Sequence, residues 1–197
     1  MIEPSILFAM SAFALSMSIS PGPVNMVIVA SGAHHGVWRT LPFVSGATLG
    51  FTALLLFIGF WFGRVIEHYP VFFKYLGVAG SIFIGYIGYK IAVAPADLSI
   101  ERKETPRFIQ GVLLQWLNPK AWIACASGIA LFAHDHKPAS LLVFAMLYCV
   151  ICYGSLTVWA VLGDKASRLL NSTSRIRAFN TTMGALLMGT AIYMLPL

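Results

Sequence analysis

The sequence predicts an all-α polytopic membrane protein, and three observations carry that prediction. The 197 residues are 58% hydrophobic and only 10% charged, with a mean hydropathy of +0.81, which is far from the makeup of a soluble domain. Six apolar stretches, about 5–31, 41–62, 71–94, 108–133, 138–162 and 178–196, each approach the roughly 20 residues that a helix needs to cross a bilayer. The formal net charge of +6 lies almost wholly in the connections, where it reads as a topology signal rather than a nucleic-acid footprint.

The first stretch has no Lys or Arg before it and no small-residue cleavage site after it, so it is expected to stay as a span. It is interrupted at Ser20-Pro21-Gly22-Pro23. Pro21 and Pro23 have no amide hydrogen, so the carbonyls of Met17 and Ile19 lose their helical partners. In lipid such orphans cost several kcal/mol, and broken backbone survives only beside protein or a wet cavity. A helix restarting after Pro23 would aim the N–H groups of Val24, Asn25 and Met26 at that cavity, a setting that favours a carboxylate.

The second and third stretches are rich in glycine. Gly46 and Gly50, then Gly77, Gly80, Gly85 and Gly88, mark close helix approach. The fourth stretch is interrupted in its turn at Leu117-Asn118-Pro119-Lys120-Ala121-Trp122. Pro119 should free the carbonyl of Gln115. At ~1.5 Å per residue, Pro21 lies roughly 24 Å from the outer end of its span and Pro119 roughly 16 Å from the inner end of its own. Both breaks therefore fall near the middle of the membrane or in its inner half.

Lys120 is the one charged side chain far from a span end, and an intramembrane Lys costs about 3 kcal/mol on insertion scales. Every Asp and Glu of the chain is in a tail, in a loop or at a span edge. The missing counter-ion is then the carboxylate of a substrate; the alternative is that Lys120 pairs with carbonyls freed by Pro119 or snorkels as an anchor. Asn25 and Asn118 flank the breaks, where their amides can satisfy loose backbone or bind a zwitterion. Ser20 adds a hydroxyl, unless it bonds its own helix backbone.

The fifth and sixth stretches carry no such break. Cys149 and Cys152 in the fifth have the spacing of a redox pair, yet no cysteine stands in the first three spans, and packing is the simpler reading. His134-Asp135-His136 in the fourth loop is not a metal site by itself. Neither a cofactor nor a metal is expected, and there is no nucleotide-binding motif. Lys and Arg number eight in loops one, three and five and two in loops two and four, which puts the odd loops in the cytoplasm and both termini outside.

Pro21 and Pro119 are 98 positions apart, half the chain, and each half holds three spans. The expected architecture is one transmembrane domain of six helices, built as two inverted three-helix repeats (about 1–97 and 98–197) with spans 1 and 4 broken. Paired broken helices in inverted halves point to a transporter's binding site.

The motifs SPGPVN, SGAHHG, GATLG and LNPKAW, in this order over the whole chain, resemble the lysine exporter (LysE) family of amino-acid exporters, which includes the homoserine/threonine and cysteine/O-acetylserine exporters. The resemblance implies efflux of amino acids or close derivatives across a bacterial inner membrane, driven by the proton gradient, with no covalent chemistry. By position, Pro21, Gly22, Pro23 and Asn25 match one motif of that family and Asn118, Pro119 and Lys120 the other; with Ser20 they form the expected substrate site. Exporters of basic amino acids in the family tend to place an acidic residue in the second span, where this chain has Gly46, Ala47 and Thr48. A neutral substrate is favoured, although cation–π contacts to Trp116 or Trp122 offer another route for a basic one. Lys120 is the proton-coupling candidate, alternating between a proton and the substrate carboxylate, with His34 and His35 at the cytoplasmic exit as the other titratable groups. Lipid is the remaining partner, and a homo-oligomer is compatible with the chain. The competing readings are an intramembrane thiol–disulfide electron carrier and a passive channel lined by the same breaks.

Overall fold

The computed structural model describes residues 3–62, 70–94, 105–133, 138–169 and 172–193. Every regular element among them is helical: α1 (Pro4–Ile19), α2 (Pro23–Phe57), α3 (Pro70–Ala92), α4 (Phe108–Trp116), α5 (Pro119–Phe132), α6 (Pro138–Ser167) and α7 (Thr173–Tyr193). A π-helical turn, Ile58–Phe62, prolongs α2. Five of these helices begin with proline, whose fixed φ suits a first helical position and whose missing N–H is not needed there.

The prolines also explain which spans are divided. Pro23–Trp61 and Pro138–Ser167 are individually long and apolar enough to cross a membrane, whereas Pro4–Ile19 and Pro119–Phe132 are shorter apolar helices. The expected breaks at residues 20–22 and 117–118 are both present.

The first connection departs from expectation. Residues 32–40 are helical rather than a loop, apart from Gly36, whose φ of 77° and ψ of 171° interrupt α2. An L side chain rarely adopts that conformation, so glycine at this position lets the chain reverse in a single residue. Contacts with α6 trace the reversal. Gly32 packs on the backbone of Ala160, Gly36 faces Asp164, and Gly59 then rests on Leu141 at the opposite end of α6. The same helix is thus followed in one direction before Gly36 and in the other after it.

α7 begins at Thr173, five residues before the expected start, and α6 continues five residues past the expected end, to Ser167. Exposed polar residues such as Arg175 and Arg177 prolong the helix beyond its apolar part, so hydropathy located the buried length and not the helix ends. Arg64, Arg102, Lys103 and Lys137, which enter the charge count by side, and the His134-Asp135-His136 cluster lie outside the described residues.

Close packing follows the glycines. α2 and α4 meet where Gly46 touches Phe108 and Gly111 touches Phe43; α2 and α6 where Gly163 touches Val29; α3 and α7 where Gly88 meets Gly184. At each of these contacts a Cβ would collide with neighbouring backbone, the arrangement by which membrane helices gain van der Waals contact. The Gly85 face of α3 is looser, its nearest neighbour being Ala191.

Polar groups gather at one end of the bundle. His34 Nε2 lies 2.6 Å from Asn180 Oδ1, and Asn180 Nδ2 donates to Ala94 O at 3.3 Å. Because Asn180 spends its N–H on a carbonyl, its Oδ1 must accept, which fixes His34 Nε2 as the donor. With Gly36 beside Asp164, the first and fifth connections meet at this end, next to Ala94 just past the end of α3.

Candidate functional site

The first break leaves a series of backbone carbonyls at the end of α1, and each buried one requires a donor. Ser16 O accepts from Ser20 N at 3.2 Å. Met17 O, deprived by Pro21, accepts from Ser20 Oγ at 3.0 Å. Asn25 Nδ2 donates to Ser18 O at 3.1 Å and to Ser20 O at 3.0 Å. Pro21 O accepts from Lys120 Nζ at 3.2 Å. The side chains that the sequence singled out therefore repair the backbone that the prolines break.

The second break is repaired more locally. Gln115 O is not left open, because Asn118 N–H reaches it at 3.2 Å in a tightened turn. Asn118 caps α5, its Oδ1 accepting from Lys120 N at 3.1 Å. Trp122 Nε1 donates to Trp116 O at 2.8 Å, and Trp116 Nε1 to Gly50 O at 3.0 Å. Both indole N–H groups are engaged with backbone, which fixes the two rings in place.

Lys120 joins the two breaks. From the start of α5 its Nζ crosses to the end of α1 and donates to Ser20 Oγ at 2.8 Å, Ser20 O at 3.3 Å and Pro21 O at 3.2 Å. All three acceptors are neutral, and none of the described carboxylates stands beside the ammonium. Lys120 therefore meets carbonyls of the first break in this conformation, whereas the alternative foreseen for it was pairing with those freed by Pro119.

Between the breaks and α6 lies a cavity of about 40 Å³, room for a few water molecules. Ser20, Gly22, Asn25, Asn118 and Lys120 line it from the two breaks. Pro21, Pro23 and Pro119 do not line it; they act by ending and starting helices. Met26 N–H closes the first turn of α2 on Gly22 O at 3.0 Å, so of the three amides expected to face a ligand those of Val24 and Asn25 remain. The N-termini of α2 and α5 and the Lys120 ammonium give the cavity a positive character suited to a carboxylate. Asn25 has committed both amide hydrogens to carbonyls, so toward a ligand it offers Oδ1, an acceptor for an ammonium group.

The far wall was not anticipated from the sequence. Phe51 from α2, Tyr148 and Cys152 from α6, and Ser18 from α1 complete the cavity. Tyr148 stacks on Phe51 with ring centroids 4.2 Å apart and planes at 18°. The available signal was the spacing of Tyr148 and Cys152, one helical turn apart on α6. His34 sits nine residues beyond Asn25, about 14 Å further along α2, and belongs to the polar end of the bundle instead. Cys125, Cys149 and Cys152 are all free thiols.

A chain with two proline-broken helices meeting at a half-buried lysine is similar to known translocators over its length. The model of the LysE type translocator family matches residues 15–196. Cysteine/O-acetylserine efflux proteins of Escherichia coli strain K12 and of Shigella sonnei are each 24% identical over 194 residues, covering 97% of this chain and 98% of theirs. No solved structure matches the chain. The chain belongs to the LysE type translocator family and is a membrane transporter, not an enzyme.

Proposed function

We propose that this protein is a secondary exporter that carries a neutral amino acid, or a close derivative, out of the cytoplasm across the bacterial inner membrane. The observation that carries the proposal is the crossing of Lys120 from one broken helix to the other, where its ammonium has only neutral oxygens for company. A substrate carboxylate is the better partner for that charge, and on arrival it displaces the carbonyls and loosens the one direct tie between the breaks. The α-ammonium of the substrate then faces Asn25 Oδ1. The absence of an acidic residue at Gly46, Ala47 and Thr48 favours a neutral side chain, and the names of the efflux relatives, cysteine and O-acetylserine, are of that kind.

In this reading the chain forms one six-span unit of two inverted three-helix repeats, with α1 plus residues 23–35 as the first span and α4 plus α5 as the fourth. The first and fifth connections meet at one end of the bundle, beside Ala94 at the end of the third apolar stretch, which supports a common side for the odd connections, and the eight Lys and Arg that the sequence gives those connections favour the cytoplasm. Both termini then face out. A cavity with room for only a few waters must widen to admit an amino acid, and alternating access supplies that widening. Lys120 is the candidate for proton coupling, binding a proton and the substrate carboxylate in turn.

The test is efflux of labelled amino acids from preloaded cells expressing wild type or Lys120→Ala, with and without an uncoupler. Uphill export of a neutral amino acid that the uncoupler stops, and that Lys120→Ala loses while inserting normally, is the expected result. Export that persists in Lys120→Ala overturns the site, and movement that only runs downhill makes the protein a channel. Lys120→Arg tests the relay separately: wild-type rate with wild-type pH dependence would exclude proton exchange at this position.

A further inference from the structure

We infer that Ser18 is a specificity-determining residue, and that its hydroxyl selects amino acids whose short side chain carries a hydrogen-bonding group over apolar isosteres. This deepens the exporter reading and rests on it. Ser18 lines the cavity and is only 7% exposed, yet its Oγ has no hydrogen-bond partner among the described residues. The Tyr148 phenol and the Cys152 thiol are its polar neighbours across the cavity, close enough to interact with it but not in well-formed hydrogen bonds. The neighbouring hydroxyl on the same helix end is committed: Ser20 Oγ bonds Met17 O and Lys120. Water in the cavity can serve the Ser18 hydroxyl, and a ligand that displaces the water without offering a partner leaves it unsatisfied, whereas a hydrogen-bonding side chain replaces what the water gave.

The location is right for a substrate side chain. Ser18, in the last turn of α1, lines the same cavity as Ser20, the Lys120 acceptor that caps this helix. A carboxylate drawn to Lys120 and an ammonium at Asn25 leave the side chain of a small amino acid pointing to the wall formed by Ser18, Tyr148 and Cys152. Behind that wall Thr48, 1% exposed, places its Oγ1 against the Cys152 thiol without a well-formed hydrogen bond. An apolar side chain placed there would seal these groups from water without replacing their hydrogen bonds, whereas a hydroxyl or thiol could meet Ser18 directly. Bulk is limited by the Phe51–Tyr148 stack, so the favoured side chains are short.

The experiment measures export of two isosteric pairs, L-serine against L-2-aminobutyrate and L-threonine against L-valine, at matched internal concentrations. In the wild type the hydroxyl member of each pair is expected to leave at least about tenfold faster, because a buried polar group left unpaired discriminates more strongly than a missing methylene. Ser18→Ala, at equal membrane abundance, should bring both ratios close to one. Ser155→Ala, which removes another unpartnered buried hydroxyl that does not line the cavity, should keep the wild-type ratios. Equal export within each wild-type pair overturns the inference without any variant, as do unchanged ratios in Ser18→Ala or an equal loss in Ser155→Ala, and in each case the exporter reading stands. If no amino acid leaves by any route dependent on this protein, the exporter reading itself fails and takes the inference with it.

Discussion

Replacing Gly50 with alanine tests whether the approach of α2 to α4 positions the site. A Cβ at residue 50 would lie 2.8 Å from Val112 Cα and 3.4 Å from Val112 Cβ. Ordinary contact with the Cα begins near 3.4 Å, so the two helices must part by about 0.6 Å at this point. Overpacking of this kind costs typically 1–3 kcal/mol, while alanine returns roughly 0.5–1 kcal/mol of helix propensity; a net loss of about 1–2 kcal/mol results. The same displacement moves Gly50 O, which holds the Trp116 indole at 3.0 Å. It thereby disturbs the end of α4, from which the second break and Lys120 follow. Gly154→Ala is the matched control, because a Cβ there meets nothing within 4 Å and only the propensity gain remains. In detergent, a chain of this size should change its unfolding midpoint by roughly 2–4 °C per kcal/mol: downward for Gly50→Ala and upward for Gly154→Ala. Export by Gly50→Ala should fall, and export by Gly154→Ala should match wild type at equal membrane abundance. A Gly50→Ala protein that melts and exports like the wild type would refute the reasoning that backbone proximity at this glycine sets the site.

Gly36→Ala forces a side chain into an essentially glycine-only conformation at φ 77°, ψ 171°, which costs about 1–3 kcal/mol, and should lower the unfolding midpoint; an unchanged midpoint would show that the turn relaxes to another geometry. Cys149→Ala should leave export unchanged, since this half-buried thiol is outside the cavity, whereas a carrier working through a Cys149–Cys152 dithiol would lose its activity in the same variant.

The sequence by itself determined the class of the protein and the location of its breaks. Apolar length and charge placement depend on composition along the chain, and a proline ends or starts a helix wherever the chain folds, so Pro21, Pro23 and Pro119 were legible from the order of residues alone. Lys120 stood out as the one charge far from a span end, and Ser20 and Asn25 by their place beside a break, with backbone repair as one of the two readings for each. Which donor meets which carbonyl was decided only in three dimensions. Lys120 repairs the break 99 residues away at Pro21 and not its own, while Asn118 N–H takes care of Gln115, because an ammonium on a long side chain can cross a helix interface and a backbone amide cannot. A reversal between residues 31 and 41 was expected, but its confinement to Gly36 within continued helix was hidden, because hydropathy reports burial rather than dihedral angles. The far wall of Ser18, Phe51, Tyr148 and Cys152 was hidden for a related reason: these residues are apolar or weakly polar members of three different helices, and only packing of α1, α2 and α6 around one small void gives them a common purpose.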